Sequence, residues 1–176
     1  FACGALSTKG SISILRINPK TICTFLKTIE KMGAKTNWGK DEVFISWIKP
    51  LTAISIETEP EPGFMTDWQA VFSLVLTQSV GVSSIIERVF PSRFQHIKLL
   101  NEMGAKTKFF QPEISDPASY YHFNPESDKP EYFHGVKIYG PSKLHATNLA
   151  VADLRAGATT ALAALTAVVY AQVVRF

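Results

Sequence analysis

Apolar and polar residues alternate over Ser11-Ile12-Ser13-Ile14-Leu15-Arg16-Ile17, the period of a half-buried strand. Asn18-Pro19 then opens a helix. Asparagine suits the N-cap, proline suits the first helical position, and Ile22, Phe25, Leu26 and Ile29 form the stripe to be buried before Gly33 ends it. Beyond it the pattern predicts two short strands, Ala34 to Asn37 and Val43 to Trp47, around a Gly39-Lys40-Asp41 turn, and a third from Leu51 to Glu57. Glu57-Thr58-Glu59-Pro60-Glu61-Pro62-Gly63 reads as a loop, because two prolines and a glycine punctuate it. Ala70, Val71, Leu74, Val75 and Gln78 then recur at helical spacing, which predicts a helix from about Asp67 to Ser79 with Thr66 or Asp67 as its N-cap.

The pattern then starts again. A strand is expected over Ser83 to Phe90, and Pro91-Ser92 is expected to open a helix that ends in Met103-Gly104-Ala105-Lys106-Thr107, a copy of Met32-Gly33-Ala34-Lys35-Thr36. Leu26, Ile29 and Met32 map onto Ile97, Leu100 and Met103 at the same offset, so a supersecondary unit of about seventy residues is repeated. Between Lys108 and His134 lies a polar, aromatic-rich insertion with Pro112, Pro117, Pro125 and Pro130. Without periodicity of its own it reads either as a mobile or functional loop or as an ordered flap. Val136 to Gly140 and Leu144 to Val151 read as strands, and Asp153-Leu154-Arg155-Ala156-Gly157 opens an alanine-rich helix in which Asp153 corresponds to Asp67. The uncharged run from Ala156 to Val174 has the length of a membrane span. Its alanines and threonines, and the β-branched Val168, Val169, Val173 and Val174, read instead as a buried helix followed by a strand.

Composition narrows the function classes. The 176 residues are 46% hydrophobic and 19% charged, an ordinary globular balance for one domain. A net charge of +3 with no basic stripe argues against nucleic acid, and no membrane partner is indicated. Cys3 and Cys23 fit neither a metal-ligand spacing nor a disulfide framework, so no metal site is expected and a reducing cytoplasm is the simplest setting. No charged segment leads into an apolar run of the signal-peptide kind, and no phosphate-loop, HExxH or GxSxG pattern occurs.

Candidate chemistry gathers at helix starts. Asp67 reads either as a cap or as a functional carboxylate. Where the first repeat has apolar Ile22 and Phe25 the second has Arg93 and His96, which read either as a snorkelling cation and a satisfied buried ring or as a helix end facing a ligand. With Asp153 and Arg155 these residues suit an anionic, hydroxyl-bearing ligand near positive helix termini.

Thr66-Asp67-Trp68-Gln69-Ala70, then Arg93-Phe94-Gln95-His96 leading into Leu100-Asn101-Glu102-Met103-Gly104-Ala105, then Ala152-Asp153-Leu154-Arg155-Ala156-Gly157 resemble, in this order, the enolpyruvyl transferases. The resemblance covers nearly all of the chain outside the insertion at about 108–134. It implies an inside-out α/β barrel, a prism of repeated βαβαββ units with helices packed in the core. It also implies that residues 1–176 are about one of the family's two domains, the second domain being a partner. The implied reaction moves the enolpyruvyl group of phosphoenolpyruvate to the 3-hydroxyl of UDP-N-acetylglucosamine, the first committed step of peptidoglycan synthesis, without a cofactor. Carried over, Asp67 binds at the attacking sugar hydroxyl and is a candidate base. Val89 and Phe90 line the sugar-nucleotide site, Arg93 is a cleft cation, Asp153 takes part in proton transfer at the enolpyruvyl carbon, and Arg155 is a supporting cation in the same cleft. The isolated chain is expected to be inactive. The alternatives are a non-catalytic binding or scaffold module with the same repeats and a related enolpyruvyl transferase acting on another hydroxyl.

Overall fold

Alternation along Ser11–Leu15 turns Ile12 and Ile14 toward the core, and this stretch is strand β1 of a computed structural model that describes residues 1–151 and 153–167. The strand expected around Val168, Val169, Val173 and Val174 lies outside the described residues. A helix that the pattern does not announce, α1 (Ala2–Ser7), precedes β1 and is buried through Ala2, Cys3 and Leu6. Asn18 Oδ1 accepts the Lys20 N–H at 3.1 Å and caps a single 3-10 turn, Pro19–Ile22, which runs into α2 (Cys23–Met32). Then come β2 (Lys35–Trp38), β3 (Glu42–Ser46), β4 (Ser55–Glu57), α3 (Thr66–Thr77) and β5 (Gly81–Ile86). The second copy continues with α4 (Gln95–Glu102), β6 (Lys106–Phe110), α5 (Pro117–Tyr120), β7 (Gly135–Gly140) and α6 (Leu154–Thr166).

The repeated pentapeptide encodes one local event twice. Gly33 and Gly104 stop their helices at φ 105° and 101°, a left-handed conformation that glycine adopts without a Cβ penalty. The following alanine N–H then reaches back to the helix, Ala34 to the Ile29 carbonyl at 3.0 Å and Ala105 to the Leu100 carbonyl at 2.9 Å. The Thr36 hydroxyl donates to Glu30, and at the same offset the Thr107 hydroxyl donates to Asn101. Each copy then builds an antiparallel three-stranded unit, β1-β3-β2 and β5-β7-β6, and β4 adds in parallel to β5.

The expected closed inside-out barrel is not what forms. The strands make two open sheets, one of three strands in the order β1-β3-β2 and one of four in the order β4-β5-β7-β6, and neither closes on itself or on the other. The reason is missing pairing. The strand expected over Leu51 to Glu57 enters the ladder only at Ser55–Glu57, with a single bridge from Thr52 to Val80 before it, and Leu144 to Val151 holds no strand. Closure needs every strand paired on both sides, and among the described residues β1, β2, β4 and β6 are edges.

Helices α1, α3 and α6 pack against one another beside the sheets. Helix α3 is enclosed on most of its circumference, with Phe72, Leu74, Val75 and Leu76 fully buried, each stabilising the fold by roughly 1.5–3 kcal/mol relative to exposure. Its first turns join an aromatic cluster in which Trp68 stands edge-on to Phe64 at 5.4 Å and to Phe25 at 5.7 Å. The insertion is ordered and folds back on the loop before α3. The Arg88 guanidinium lies 4.0 Å from the Tyr120 ring, donates to the Tyr120 carbonyl and pairs with Glu57 and Glu59, while His122 Nε2 meets Glu59 at 2.6 Å. Among the described residues no helix is long and apolar enough to cross a membrane.

Candidate functional site

Asp67 is not a cap. Met65 is the N-cap of α3 and offers no side-chain bond, the Thr66 hydroxyl turns inward, and Asp67 in the first turn projects outward with its side chain 65% exposed. Two guanidinium groups converge on its Oδ1: Arg93 Nη1 at 3.1 Å, and Arg155 through Nε at 2.8 Å and Nη2 at 2.7 Å. Oδ2 has no hydrogen-bond donor among the described residues. The hydrogen bond from Arg155 does most to hold the carboxyl below the usual carboxylate range; burial opposes it, and the hydrogen bond from Arg93 and the charges of both arginines add to the lowering. The site therefore joins three elements, the start of α3, the loop before α4 and the first turn of α6.

Asp153 does what Asp67 does not. Its Oδ2 accepts the Ala156 N–H at 2.8 Å, so it is the N-cap of α6, and its Oδ1 stands 3.9 Å from Arg155 Nη1. The two aspartates occupy matching places in the repeat but divide the work, one capping and one binding cations.

Strand β5 ends at Ile86, short of the expected Phe90, because Glu87 turns back to accept the N–H groups of Val89 and Phe90 and withdraws them from the ladder. Val89 is half-buried and Phe90 is exposed, its ring stacked under the Arg93 guanidinium at 3.8 Å. Helix α4 begins at Gln95 rather than at Pro91-Ser92. Arg93 is consequently a loop residue and shares no helix face with His96. The ring of His96 is buried against Ser73 at 2.9 Å, and burial pushes it down to about 3, with the nearby Asp153 charge and a backbone hydrogen bond at Arg93 pulling the other way. His96 is a neutral core residue behind the Asp67 cluster, meeting Ser73 and the Arg93 backbone but not the Asp67 carboxylate.

A cleft of about 220 Å³ opens beside Arg93, lined by Pro91, Phe94 and Phe109 and by Tyr132 and Phe133 of the insertion. Among the described residues no group of His, Cys, Asp and Glu side chains stands in metal-holding geometry. The pattern reading missed a buried polar row along α3, Thr66, Gln69, Ser73 and Thr77, and the buried Glu87 that Thr66 and Gln69 meet. A signal was present: continuing the inward alternation of β5 through Ser83 and Ile85 puts a carboxylate at the next buried position.

Relatives fit this picture. The chain is 33% identical over 168 residues to the UDP-N-acetylglucosamine 1-carboxyvinyltransferase of Chlamydia trachomatis serovar D, covering 95% of this chain and 36% of that one. It is 34% identical over 167 residues to the enzyme of the same name from Pelagibacter ubique, covering 95% and 35%. The chain thus spans about a third of the length of these relatives. In fold it is similar to the enolpyruvyl transferase NikO from Streptomyces tendae, with a TM-score of 0.70 at 21% identity over 94% of this chain and 35% of that one. It is also similar to EPSP synthase from Acinetobacter baumannii, with a TM-score of 0.58 at 15% identity over 94% and 36%. With the family profile of EPSP synthase (3-phosphoshikimate 1-carboxyvinyltransferase) matching residues 1–175, the repeated units and the carboxylate between two arginines belong to a member of the enolpyruvyl transferase family.

Proposed function

We propose that this chain is one domain of an enolpyruvyl transferase acting on UDP-N-acetylglucosamine, and that it contributes one wall of a cleft closed by a second domain of the same family. The observation that carries the proposal is Asp67, an exposed carboxylate gripped on one oxygen by Arg93 and Arg155 with its other oxygen open. The names of the relatives above 30% identity support the UDP-sugar substrate.

The chemistry assigns the parts. Oδ2 of Asp67 accepts the attacking sugar hydroxyl. As a base Asp67 is weak while both arginines hold it, so its basicity rises only when Arg93 and Arg155 turn to the phosphate and carboxylate groups of the substrates. The same two cations then stabilise charge as the hydroxyl adds to phosphoenolpyruvate. Val89 and Phe90 offer an apolar edge to the sugar nucleotide. Asp153, fixed by its cap and close to Arg155, is the second carboxylate for proton movement at the enolpyruvyl carbon. Half a cleft does not turn over, so the chain alone is inactive.

Titration with UDP-N-acetylglucosamine, followed through the amide signals of Asp67, Phe90 and Arg93, tests the reading. Localised shifts are expected, and they vanish in Asp67→Ala, which keeps its fold because exposed ion pairs are worth less than about 1 kcal/mol. Absence of any shift at millimolar ligand overturns the reading of a half-site. Turnover by this chain alone overturns the reading that a second domain is needed.

A further inference from the structure

We infer that Glu87 is a positioning residue, whose buried carboxylate locks the Val89–Phe90–Arg93 loop to the start of α3 and so sets Arg93 opposite Asp67. Glu87 is 1% exposed and lies next to the site without touching its open face. Each of its oxygens gathers two donors from a different side. Oε1 accepts the N–H groups of Val89 at 2.9 Å and Phe90 at 3.1 Å. Oε2 accepts the Thr66 hydroxyl at 2.8 Å and Gln69 Nε2 at 3.1 Å. Gln69 Nε2 also donates to the Arg93 carbonyl at 3.3 Å, which closes the circuit between helix and loop.

No cation pairs with Glu87 among the described residues, and its neighbour Arg88 points away to Glu57 and Glu59. Four donors and the positive end of α3 satisfy an acceptor-only carboxylate, a strong arrangement because each bond is charge-assisted. An aspartate is one methylene too short to bridge both sides. A glutamine presents a donor where the site holds only donors, yet its volume is the same, and Gln69 can rotate its unpartnered buried Oε1 to receive that donor. Glu87→Gln therefore folds while weakening the grip on the loop.

The inference deepens the reading of Asp67, Phe90 and Arg93 as site residues and rests on it. Its first test nevertheless needs no substrate. In Glu87→Gln and Glu87→Asp, the carboxyl carbon of Asp67 is titrated by NMR, and contacts between the Phe90 ring and the Arg93 side chain are recorded alongside thermal unfolding. Loosening Arg93 while Arg155 stays in place raises the Asp67 midpoint and removes the ring contacts, more in the aspartate variant than in glutamine. A fall in melting temperature with an unchanged Asp67 titration and intact ring contacts makes Glu87 merely structural and overturns the inference. No change in any readout overturns it too. A parallel titration with UDP-N-acetylglucosamine separates the two claims. About tenfold weaker binding in Glu87→Gln supports both. A moved Asp67 titration with no binding in either protein leaves Glu87 as positioning residue and overturns the substrate reading.

Discussion

At the scale of single residues, position in a repeat does not dictate role. Asp67 and Asp153 match in the sequence, yet one is held by two arginines and the other caps a helix, because Asp153 stands at the N-cap of α6 while Asp67 lies two residues past the N-cap of α3. His96 and Arg93 make the same point, since three residues separate a neutral buried ring from a half-buried cation. His96 carries a pH consequence. Its folded-state pKa lies far below the ordinary 6.5, so below pH 6.5 the unfolded chain binds a proton that the folded chain refuses, and stability falls as pH drops toward about 3. Between pH 7 and pH 5 the expected loss is about 2 kcal/mol. Urea unfolding across that range measures it, and His96→Gln flattens the acid limb. The candidate residues Asp67, Arg93 and Arg155 were legible as types near helix starts, whereas for Glu87 the alternation of β5 signals a buried carboxylate and only its four donors, once in place, give it a role.

At the scale of elements, the helix stop that the two copies share is the most legible feature of the chain, because it is local: a left-handed glycine and a backward hydrogen bond need no distant partner. The copies differ in what surrounds that glycine. A Cβ on Gly33 meets the Cε of Lys49 at 2.9 Å, a flexible side chain that can swing aside, while a Cβ on Gly104 stands 2.9 Å from the Lys143 carbonyl oxygen and 3.1 Å from the His145 ring. Gly33→Ala is expected to cost about 1 kcal/mol from its backbone conformation alone. Gly104→Ala costs clearly more, since main chain has to move, and equal urea midpoints for the two variants contradict this. Element boundaries were less legible. Strand β5 stops early because Glu87 captures the next N–H groups, and α4 starts late, which takes Arg93 off the helix and frees it to reach Asp67.

At the scale of the whole molecule, α1, α3 and α6 form a helix cluster held from three distant parts of the chain, and Cys3 reports on it. The Cys3 thiol is buried in α1, and burial pushes its pKa up to about 12. Cys23, half-buried at the start of α2, is more open to solvent. A thiol reagent at neutral pH is expected to label Cys23 in the native protein and Cys3 only at the rate of unfolding. Rapid labelling of both contradicts a locked helix cluster. The sheets complete the picture: among the described residues two open sheets in place of a closed barrel leave edges at β1, β2, β4 and β6.

The sequence by itself determined what depends on neighbours along the chain: the alternation of β1, the Asn18 cap, the pentapeptide stops, the repeat, and the ordered motifs shared with the enolpyruvyl transferases. Tertiary structure alone decided what depends on partners far apart in the chain. Arg155 reaches Asp67 across 88 residues and Glu87 draws on Thr66 and Gln69 about twenty residues upstream. Among the described residues the pairings that would close the sheets are absent. Hydrogen bonds and ion pairs of this kind act at contact distance, and local pattern carries no record of which distant groups folding brings into contact.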